Sequence, residues 1–532
     1  MQSNKILVKE ADFYFNRELS LLAFHERILE LALDESIPLL ERLKFFFIFC
    51  RNLDEFFEIR VAQLKEQVAL GRLAPHADGL APDETLKKIS HFVHPLVAKQ
   101  YEVFNEIFMP KLHAIGIHLL HPQSLNETQL AWLKKFFKQE VQPVITPIGL
   151  DLSHPFPRLI NKSLNFIIQL EGLDAFGRDS GLAIIHTPRI LPRVVPLPKE
   201  IAEEDSFILL IDILQHFMPD LFPGMTVKGC YQFRLTRNSD VFLTADSIED
   251  LPRALKGELF SRRYGRAVRL DIAEDCPEKI IKFLQNKFQL AEEDVYKTKG
   301  PANLARLMPL AQGEGHAQHK FKPFTPSRPP ILSCQPDYFK LISEQDILLY
   351  HPYQSFGPVI DFIAQAAKDP HVLAIKQTLY RTGLDSSIVQ ALIEAARLGK
   401  EVTAVIELRA RFDEADNIEL ANRLQEAGAL VVYGILGYKT HAKMTLIVRK
   451  EGKRMKRYAH LGTGNYHNEN AKVYTDYSLI TAEKDICEDV HHVFLQLTGM
   501  GKAFRLKTLI QAPFGLHKKI IEFIQRETQN AK

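Results

Sequence analysis

Several features are scarce in this 532-residue sequence, and each absence argues against a class of protein. The five cysteines show no CxxC spacing, which argues against a structural zinc site and is typical of reduced thiols in a cytosolic protein. The formal net charge is only +2, so the chain is not a generally basic nucleic-acid binder. A local basic channel remains compatible with this balance, because steering depends on where charge lies.

Long apolar stretches are missing as well. The longest apolar run, residues 45–50, is far too short to cross a bilayer. The N-terminal segment MQSNKILVKEADFYF has no apolar core of signal-peptide length. We therefore expect a cytoplasmic protein whose association with a membrane, if any, is peripheral.

The length and composition predict a multidomain α+β protein. A chain of 532 residues is too long for one hydrophobic core, and 46% hydrophobic with 25% charged residues is an ordinary globular composition. Helical periodicity predicts a helical N-terminal domain over 1–113. Proline-rich segments between short strands predict a middle α+β domain over 114–327. Alternating strands and helices predict an α/β domain with parallel strands over 328–508, and 509–532 is typical of the start of another strand-helix unit.

The stretch HAKMTLIVRKEGKRMKRYAHLGTGN, residues 441–465, carries the clearest chemical signal. Two segments rich in β-branched and aromatic residues, 440–448 and 457–461, flank a charged run. This pattern predicts a β-hairpin whose two-residue turn is Glu451-Gly452.

Strand alternation then sorts the side chains of this hairpin. His441 and Lys443 share one face, and we expect the opposite face, with Met444, to be the buried one. With the predicted turn, Lys443 lies opposite His460. Two histidines and a lysine around one space suit a phosphoryl group, because neutral imidazole is a nucleophile near pH 7 and lysine binds phosphate oxygens. If the loop between the two strands were one residue longer, every side chain would change to the opposite face.

Two arginines follow predicted strands of the same α/β domain. Arg381 comes after VLAIKQTLY, and Arg411 comes after EVTAVIELR. In open α/β sheets, ligands collect at the carboxyl ends of the strands. Either arginine taken alone is more often a surface ion-pair partner, but their coincidence with the hairpin favours a phosphate clamp.

Other histidines of the sequence favour ordinary structural roles. His316 and His319 lie in a predicted loop without a cysteine or carboxylate at ligand spacing. His491 and His492 lie on an apolar helix, and His517 opens a predicted surface helix. We therefore predict no metal site formed by histidine clusters.

Longer motifs run through the whole chain in a fixed order. They are RELSLLAFHERIL, RNLDEFFEIRVAQL, LLYHPYQSF, LAIKQTLYR, ELRARFDEADN, HAKMTLIVRK, HLGTGNYH and VYTDYSLIT. Together they resemble the polyphosphate kinase family, of the type with a phospholipase-D-like catalytic half. The resemblance implies a helical N domain, a middle domain and phospholipase-D-like α/β catalytic domains. It also implies reversible transfer of the ATP γ-phosphate to inorganic polyphosphate through a phosphohistidine.

The resemblance further implies roles for single residues. His441 matches the family's phosphorylated histidine, and His460 matches its second active-site histidine. Lys443 would neutralise phosphate oxygens beside them. Asn52 and Tyr474 match positions that contact ATP.

Arg381 and Arg411 match positions that the family assigns to its magnesium site. A guanidinium has no lone pair for a cation, so we expect both to hold phosphate oxygens that bridge to Mg²⁺. The expected partners are ATP or ADP, inorganic polyphosphate and further copies of the chain, with no nucleic acid.

The family pattern continues into a fourth domain with another HxK-like motif and ATP contacts, which this sequence does not reach. From this departure we expect weak or absent polyphosphate synthesis by the 532-residue chain alone.

Two alternative functions remain open at this point. A phospholipase-D-type phosphodiesterase needs an aspartate after HxK and four residues, but Val448 occupies that position, and GTGN at 462–465 only resembles the downstream GSxN. The other alternative is a non-catalytic polyanion-binding module that uses the same cations.

Overall fold

The computed structural model of the chain describes residues 11–150, 156–173, 177, 181–202, 204–239, 257, 264–332, 336–383, 386–408, 410, 413–435, 438–499 and 503–532. These residues fall into two units, one up to Lys322 and the other from Pro323.

Helices dominate the beginning of the first unit, as the periodicity predicts. The side chain of Asn16 accepts two backbone N–H groups at the start of the first helix, and Leu22, Leu29 and Ala32 are buried along one face of it. The helices are α1 (Arg17–Leu33), α2 (Leu39–Glu55), α3 (Ala62–Ala69), α4 (Pro82–Glu102), α5 (Met109–Ala114), α6 (Glu127–Phe136), α7 (Leu210–His216), α8 (Glu278–Phe288) and α9 (Pro309–Gln312). A π-helical segment, Phe56–Val61, joins α2 to α3.

Two sheets complete the first unit. Their strands are β1 (Ile117–Leu120), β2 (Pro147–Gly149), β3 (Leu164–Glu171), β4 (Leu182–His186), β5 (Val194–Pro196), β6 (Asp205–Leu209), β7 (Thr226–Arg237), β8 (Ala267–Ala273) and β9 (Val295–Thr298). The strand orders are β1-β6-β5 and β2-β4-β3-β7-β8-β9. Strands and helices are mixed over the region predicted as a middle α+β domain, which confirms its α+β character.

A buried ion network ties α2 to the larger sheet of this unit. Arg234 on β7 contacts Asp54 of α2 at 2.8 Å and Asp271 of β8 at 2.7 Å. Arg269 also contacts Asp271, at 2.5 Å, and its guanidinium lies 4.3 Å from the centre of the Tyr296 ring. Burial alone would raise the pKa of Asp271, but the charges of Arg234 and Arg269 hold it below its usual value. Asp54 therefore has a salt-bridge role within the RNLDEF motif.

The second unit is an α/β layer structure. Its helices are α10 (Tyr338–Glu344), α11 (Gly357–Lys368), α12 (Ser387–Arg397), α13 (Glu414–Glu426), α14 (Asn468–Ala471), α15 (Lys484–Thr498) and α16 (Leu516–Asn530). Its strands are β10 (Ile347–His351), β11 (Val372–Leu379), β12 (Glu401–Ile406), β13 (Leu430–Tyr433), β14 (Lys443–Glu451), β15 (Arg454–Gly462) and β16 (Asp476–Thr481).

All strands of the second unit form one mixed sheet in the order β10-β16-β15-β14-β11-β12-β13. The pairs β11-β12 and β12-β13 are parallel, as the predicted β-α-β units require. Both connecting helices end near a glycine in the left-handed region, Gly399 at φ 82° and Gly428 at φ 95°. The predicted α/β fold of the second unit is confirmed.

The register of the β14-β15 hairpin differs from the predicted one. Glu451 pairs with Arg454, so the turn is Gly452-Lys453, one residue later than predicted. Thr445, and not Lys443, therefore lies opposite His460. Because a turn displaced by one residue moves each cross-strand partner by two, the predicted sharing of one face by Lys443 and His460 still holds.

Both faces of β14 are buried, which corrects the expectation of a single buried face. Met444 and Leu446 pack with Val490 and Phe494 of α15. On the other face, Lys443 is only 6% exposed, and Thr445 and Ile447 are fully buried. The reason is that α15 covers one face, while on the other face Thr445 contacts the hydroxyl of the buried Tyr466.

The last described segment also departs from the expectation of a strand-helix unit. Residues 503–515 form no strand, and α16 has no buried residue. The backbone N–H groups of Lys507, Thr508 and Leu509 donate instead to the carboxylate of Asp489 on α15, at 2.7 to 2.9 Å. Among the described residues, no helix is long and apolar enough to span a membrane.

We expect Arg234→Met to destabilise the first unit by about 3–5 kcal/mol, because it leaves Asp54 buried without a counter-charge and removes one of the two cations beside Asp271. The free energy of unfolding is measured by urea titration followed by tryptophan fluorescence. Trp132, the single tryptophan of the chain, lies on α6 and therefore reports on the first unit. The control Lys297→Met breaks an ion pair with Glu278 in which both side chains are at least half exposed, and should cost under about 0.5 kcal/mol. Equal losses in the two variants would contradict the role of the network.

Candidate active site

His441 lies in the loop immediately before β14 and is exposed. Its ring meets the ring of Tyr380 edge-on, with the ring centres 4.9 Å apart. The Lys443 ammonium lies 5.1 Å from the same tyrosine ring and donates to the carbonyl oxygen of His441 at 2.6 Å. The guanidinium of Arg381 lies 5.8 Å from the ring centre. The structure thus gathers three of the predicted site residues around Tyr380.

Arg381 follows β11 in an unusual backbone conformation. Its φ of 54° lies in the left-handed region, which costs a non-glycine residue on the order of 1 kcal/mol. The Nε atom contacts the carboxylate of Asp413 at 3.0 Å. Burial raises the pKa of Asp413, and the charge of Arg381 opposes that shift. Arg411, the other predicted arginine, lies outside the described residues.

Burial and neighbouring cations make both His441 and Lys443 easier to deprotonate. The pKa of His441 is lowered, first by burial and then by the charges of Lys443 and Arg381. Burial also lowers the pKa of Lys443 to about 8, with a further contribution from Arg381, while Asp476 opposes the shift. At neutral pH the imidazole is therefore neutral with a free lone pair, whereas the lysine retains its charge.

Glu407 fixes the loop that carries His441. This carboxylate is 2% exposed, and its Oε2 atom accepts the backbone N–H of Thr440 at 2.7 Å. A Cβ atom on Gly434 would lie 3.1 Å from the same oxygen, so glycine leaves room for the contact. The backbone next to His441 is therefore held by a buried ionisable group.

His460 is enclosed beneath this site. It is 1% exposed, and its Nδ1 atom lies 2.7 Å from the hydroxyl of Tyr466. Burial lowers the pKa of His460 to about 3, and neighbouring His351 adds to the shift. Its Nε2 atom has no hydrogen-bond partner among the described residues. The ring is therefore neutral, with one nitrogen uncommitted.

A cleft of about 950 Å³ opens beside His441. Lys439, His441 and Lys443 line one wall of it. The other wall is mainly apolar and consists of residues from α15 and from the segment 503–514 that Asp489 holds in place. The exposed histidine therefore faces a space large enough for a nucleotide or several phosphate groups.

The two residues expected to contact ATP lie in different units. Asn52 is half-buried on α2 of the first unit. Tyr474 lies just before β16 in the second unit, with 62% of its surface exposed. Both side chains retain accessible surface, which a ligand contact requires.

Sequence reasoning missed four residues that shape this site: Tyr380, Glu407, Thr445 and Tyr466. Two of them could have been found from the sequence, because Glu407 ends an apolar strand motif and Thr445 shares the face of Lys443. Tyr380 and Tyr466 lie in loops, where strand alternation does not predict direction.

Comparisons with known proteins agree with this architecture. Family models for the polyphosphate kinase N-terminal domain, middle domain and C-terminal domain 1 match residues 14–120, 128–310 and 337–503. A crystal structure of polyphosphate kinase from Porphyromonas gingivalis matches with a TM-score of 0.79 and 28% identity, over 97% of this chain and 74% of that chain. The three matched domains, in this order along the chain, place it among the phosphotransferases that the motifs predicted.

Sequence relatives carry the same name. Polyphosphate kinase of Pseudomonas aeruginosa is 55% identical over 523 residues, which is 98% of this chain and 76% of the relative. That of Neisseria meningitidis is 50% identical over 517 residues, 97% of this chain and 76% of the relative. The chain belongs to the polyphosphate kinase family, so the predicted family and its kinase function are confirmed.

We expect one lysine of the native protein to titrate near pH 8, losing its charge above that value. Burial of Lys443 is the physical cause. NMR titration of protein whose lysines carry ¹³C-methyl groups measures this, and the signal should be missing in Lys443→Met. The control Lys450→Met changes an exposed lysine of the same strand and should leave the signal in place. A Lys443 titration at the ordinary lysine value of about 10.4 would contradict the expected burial effect.

Proposed function

We propose that this polyphosphate kinase transfers the ATP γ-phosphate reversibly to inorganic polyphosphate, with His441 as the residue that carries the phosphoryl group. The observation that supports the proposal is the position of an exposed, neutral imidazole near two cations, Lys443 and Arg381. A nucleophile and the charges that stabilise a phosphoryl group thus lie together.

In the first step, a ring nitrogen of His441 attacks the γ-phosphorus in line with the bond to ADP. The new N–P bond forms as the P–O bond breaks, and ADP leaves with the bonding electron pair. Lys443 and Arg381 neutralise the equatorial oxygens. In the second step, a terminal oxygen of polyphosphate attacks phosphorus, and the bonding electrons return to His441. His460, which burial keeps neutral, is available to exchange a proton.

We expect magnesium to enter this site together with the nucleotide. No group of three or more histidine, cysteine, aspartate or glutamate side chains suited to a metal lies among the described residues. Arg381, and Arg411 if it lies as the resemblance implies, would hold phosphate oxygens that the ion also contacts. When bound, Mg²⁺ supplies neutralisation of charge on the β- and γ-phosphates.

Further parts of the proposal concern ligands and organisation. The exposed ring of Tyr474 offers a face for a base, and Asn52 offers an amide, so both are proposed ATP contacts. Domain boundaries after residues 113, 327 and 508, assembly into homo-oligomers and a cytoplasmic location stay predictions.

The two alternative functions are not favoured. Val448, which replaces the aspartate of a phosphodiesterase motif, is half-buried on the face of β14 opposite to Lys443. A non-catalytic polyanion-binding module would not need a neutral imidazole near the cations.

We expect ATP labelled at the γ-phosphate to leave acid-labile, alkali-stable label on the native chain. His441→Ala should abolish that label, because it removes the nucleophilic nitrogen, whereas His517→Ala on the surface of α16 should retain it. Protein-bound radioactivity after gel filtration is the measurement. Label that persists in His441→Ala would contradict the assignment of His441. Labelled product released from a phosphodiester would favour the phosphodiesterase, and ATP binding without label would favour the binding module.

We expect Arg381→Ala to weaken binding of Mn²⁺ with ADP by about tenfold, the equivalent of 1.4 kcal/mol, because one charged contact to phosphate is lost. Binding of Mn²⁺ without nucleotide, measured by electron paramagnetic resonance, should be weak and unchanged. The control Lys472→Ala, an exposed cation of the same unit, should alter neither value. A selective loss of nucleotide-free Mn²⁺ binding in Arg381→Ala would show that the site holds the metal directly.

A further inference from the structure

A chain of buried hydrogen bonds runs from β11 to His460. Thr445 Oγ1 lies 2.6 Å from Gln377 Oε1 and 2.9 Å from the Tyr466 hydroxyl, which lies 2.7 Å from His460 Nδ1. All four side chains are at most 2% exposed. Since water does not reach them, the hydroxyl protons of Thr445 and Tyr466 must be donated within this group of four side chains.

The first bond of the chain has a fixed direction. The amide nitrogen of Gln377 donates to the carbonyl oxygen of Thr378 at 3.2 Å, which leaves Oε1 of the same amide facing Thr445. An amide oxygen can only accept, so the single hydroxyl proton of Thr445 points to Gln377.

The other two directions follow by counting protons. Thr445 has no second proton, so Tyr466 must donate its own hydroxyl proton to Thr445. Tyr466 then has none left for His460, and Nδ1 of the imidazole must be the donor in the last bond. A neutral imidazole carries one N–H, so Nε2 bears no proton.

We propose that Gln377, Thr445 and Tyr466 are positioning residues that hold His460 in the Nδ1–H tautomer and thereby keep its Nε2 atom as the unprotonated nitrogen at the active site. Nothing in the family match assigns a role to these three side chains. The proposal identifies the atom of His460 that exchanges a proton, and that catalytic use rests on the proposed function.

The surroundings of the ring agree with an uncommitted Nε2. The atom is buried and has no hydrogen-bond partner among the described residues. The adjacent Cε1 atom lies 3.2 Å from the position that a Cβ on Gly462 would take, and Lys443 Cβ lies 3.7 Å from that same position. The glycine opposite Lys443 thus lets the backbone approach this edge of the imidazole closely.

His351, the neighbouring imidazole, does not compete for this role. Its Nδ1 atom lies 2.8 Å from the carbonyl oxygen of Gln354, which can only accept, so this nitrogen carries the proton. Its Nε2 atom, 3.0 Å from the hydroxyl of Ser478, therefore accepts from that hydroxyl. Both nitrogens of His351 are committed, in contrast to those of His460.

The test is ¹⁵N NMR of the 532-residue chain labelled at histidine, with the His460 signals identified by their loss in His460→Gln. In the native protein we expect Nδ1 protonated and Nε2 unprotonated. Thr445→Val removes the acceptor of the Tyr466 proton, so the hydroxyl turns to His460 and the imidazole proton moves to Nε2. Thr445→Ser restores the hydroxyl and should restore the native tautomer.

Gln377→Leu gives a second route to the same reversal, because it frees the Thr445 proton to turn towards Tyr466. Thermal unfolding of each variant checks that it folds. A proton on Nε2 in the native protein, or a folded Thr445→Val and Gln377→Leu with the native tautomer, would overturn the proposal. The tautomer is measured without ATP, so this result and phosphorylation of His441 can fail independently.

Discussion

One row of cross-strand pairs sets the geometry of the active-site unit. β14 lies between two antiparallel neighbours, and Thr445 pairs with Gln377 on one side and with His460 on the other. Because directly opposite residues in a sheet have Cβ atoms about 5 Å apart, this row brings three polar side chains into one buried line. The position of Lys443, one same-face step from Thr445, and the glycine opposite it follow from the same register.

Burial acts differently on the nitrogen groups of this site. It removes charge from the two histidines, which become neutral bases at ordinary pH, and it brings Lys443 close to its point of deprotonation. Arg381 adds a guanidinium, which carries a fixed positive charge. A nucleophile, an exchangeable proton site and fixed positive charge can therefore coexist within one small volume.

The larger features of the fold could be predicted from periodicity alone. Residues that alternate or recur at helical spacing identify strands such as β11 and helices such as α12, and glycines identify their ends. The prediction of a strand before α16 was wrong, because the backbone N–H groups of residues 507–509 donate to the Asp489 carboxylate and not to a neighbouring strand. Such a tertiary partner, remote in sequence, leaves no local pattern.

The site could be predicted in part for a similar reason. Strand alternation placed Lys443 and His460 on one face, although the turn itself lies one residue later than composition suggested. Tyr380 and Tyr466 could not be placed, because loop backbones have no fixed period. The hydroxyl of Tyr466 matters only through its two partners, and those contacts require the folded register.

The two-residue turn at Gly452-Lys453 also constrains how this hairpin can diverge during evolution. An insertion or deletion at the tip changes only the loop, since the ladder of pairs begins behind it. A single inserted residue between Arg454 and His460 would instead rotate His460 to the face that packs on α15. Length variation among descendants of this sequence is therefore tolerable at the hairpin tip, while the two arms that reach the active site can change only by substitution.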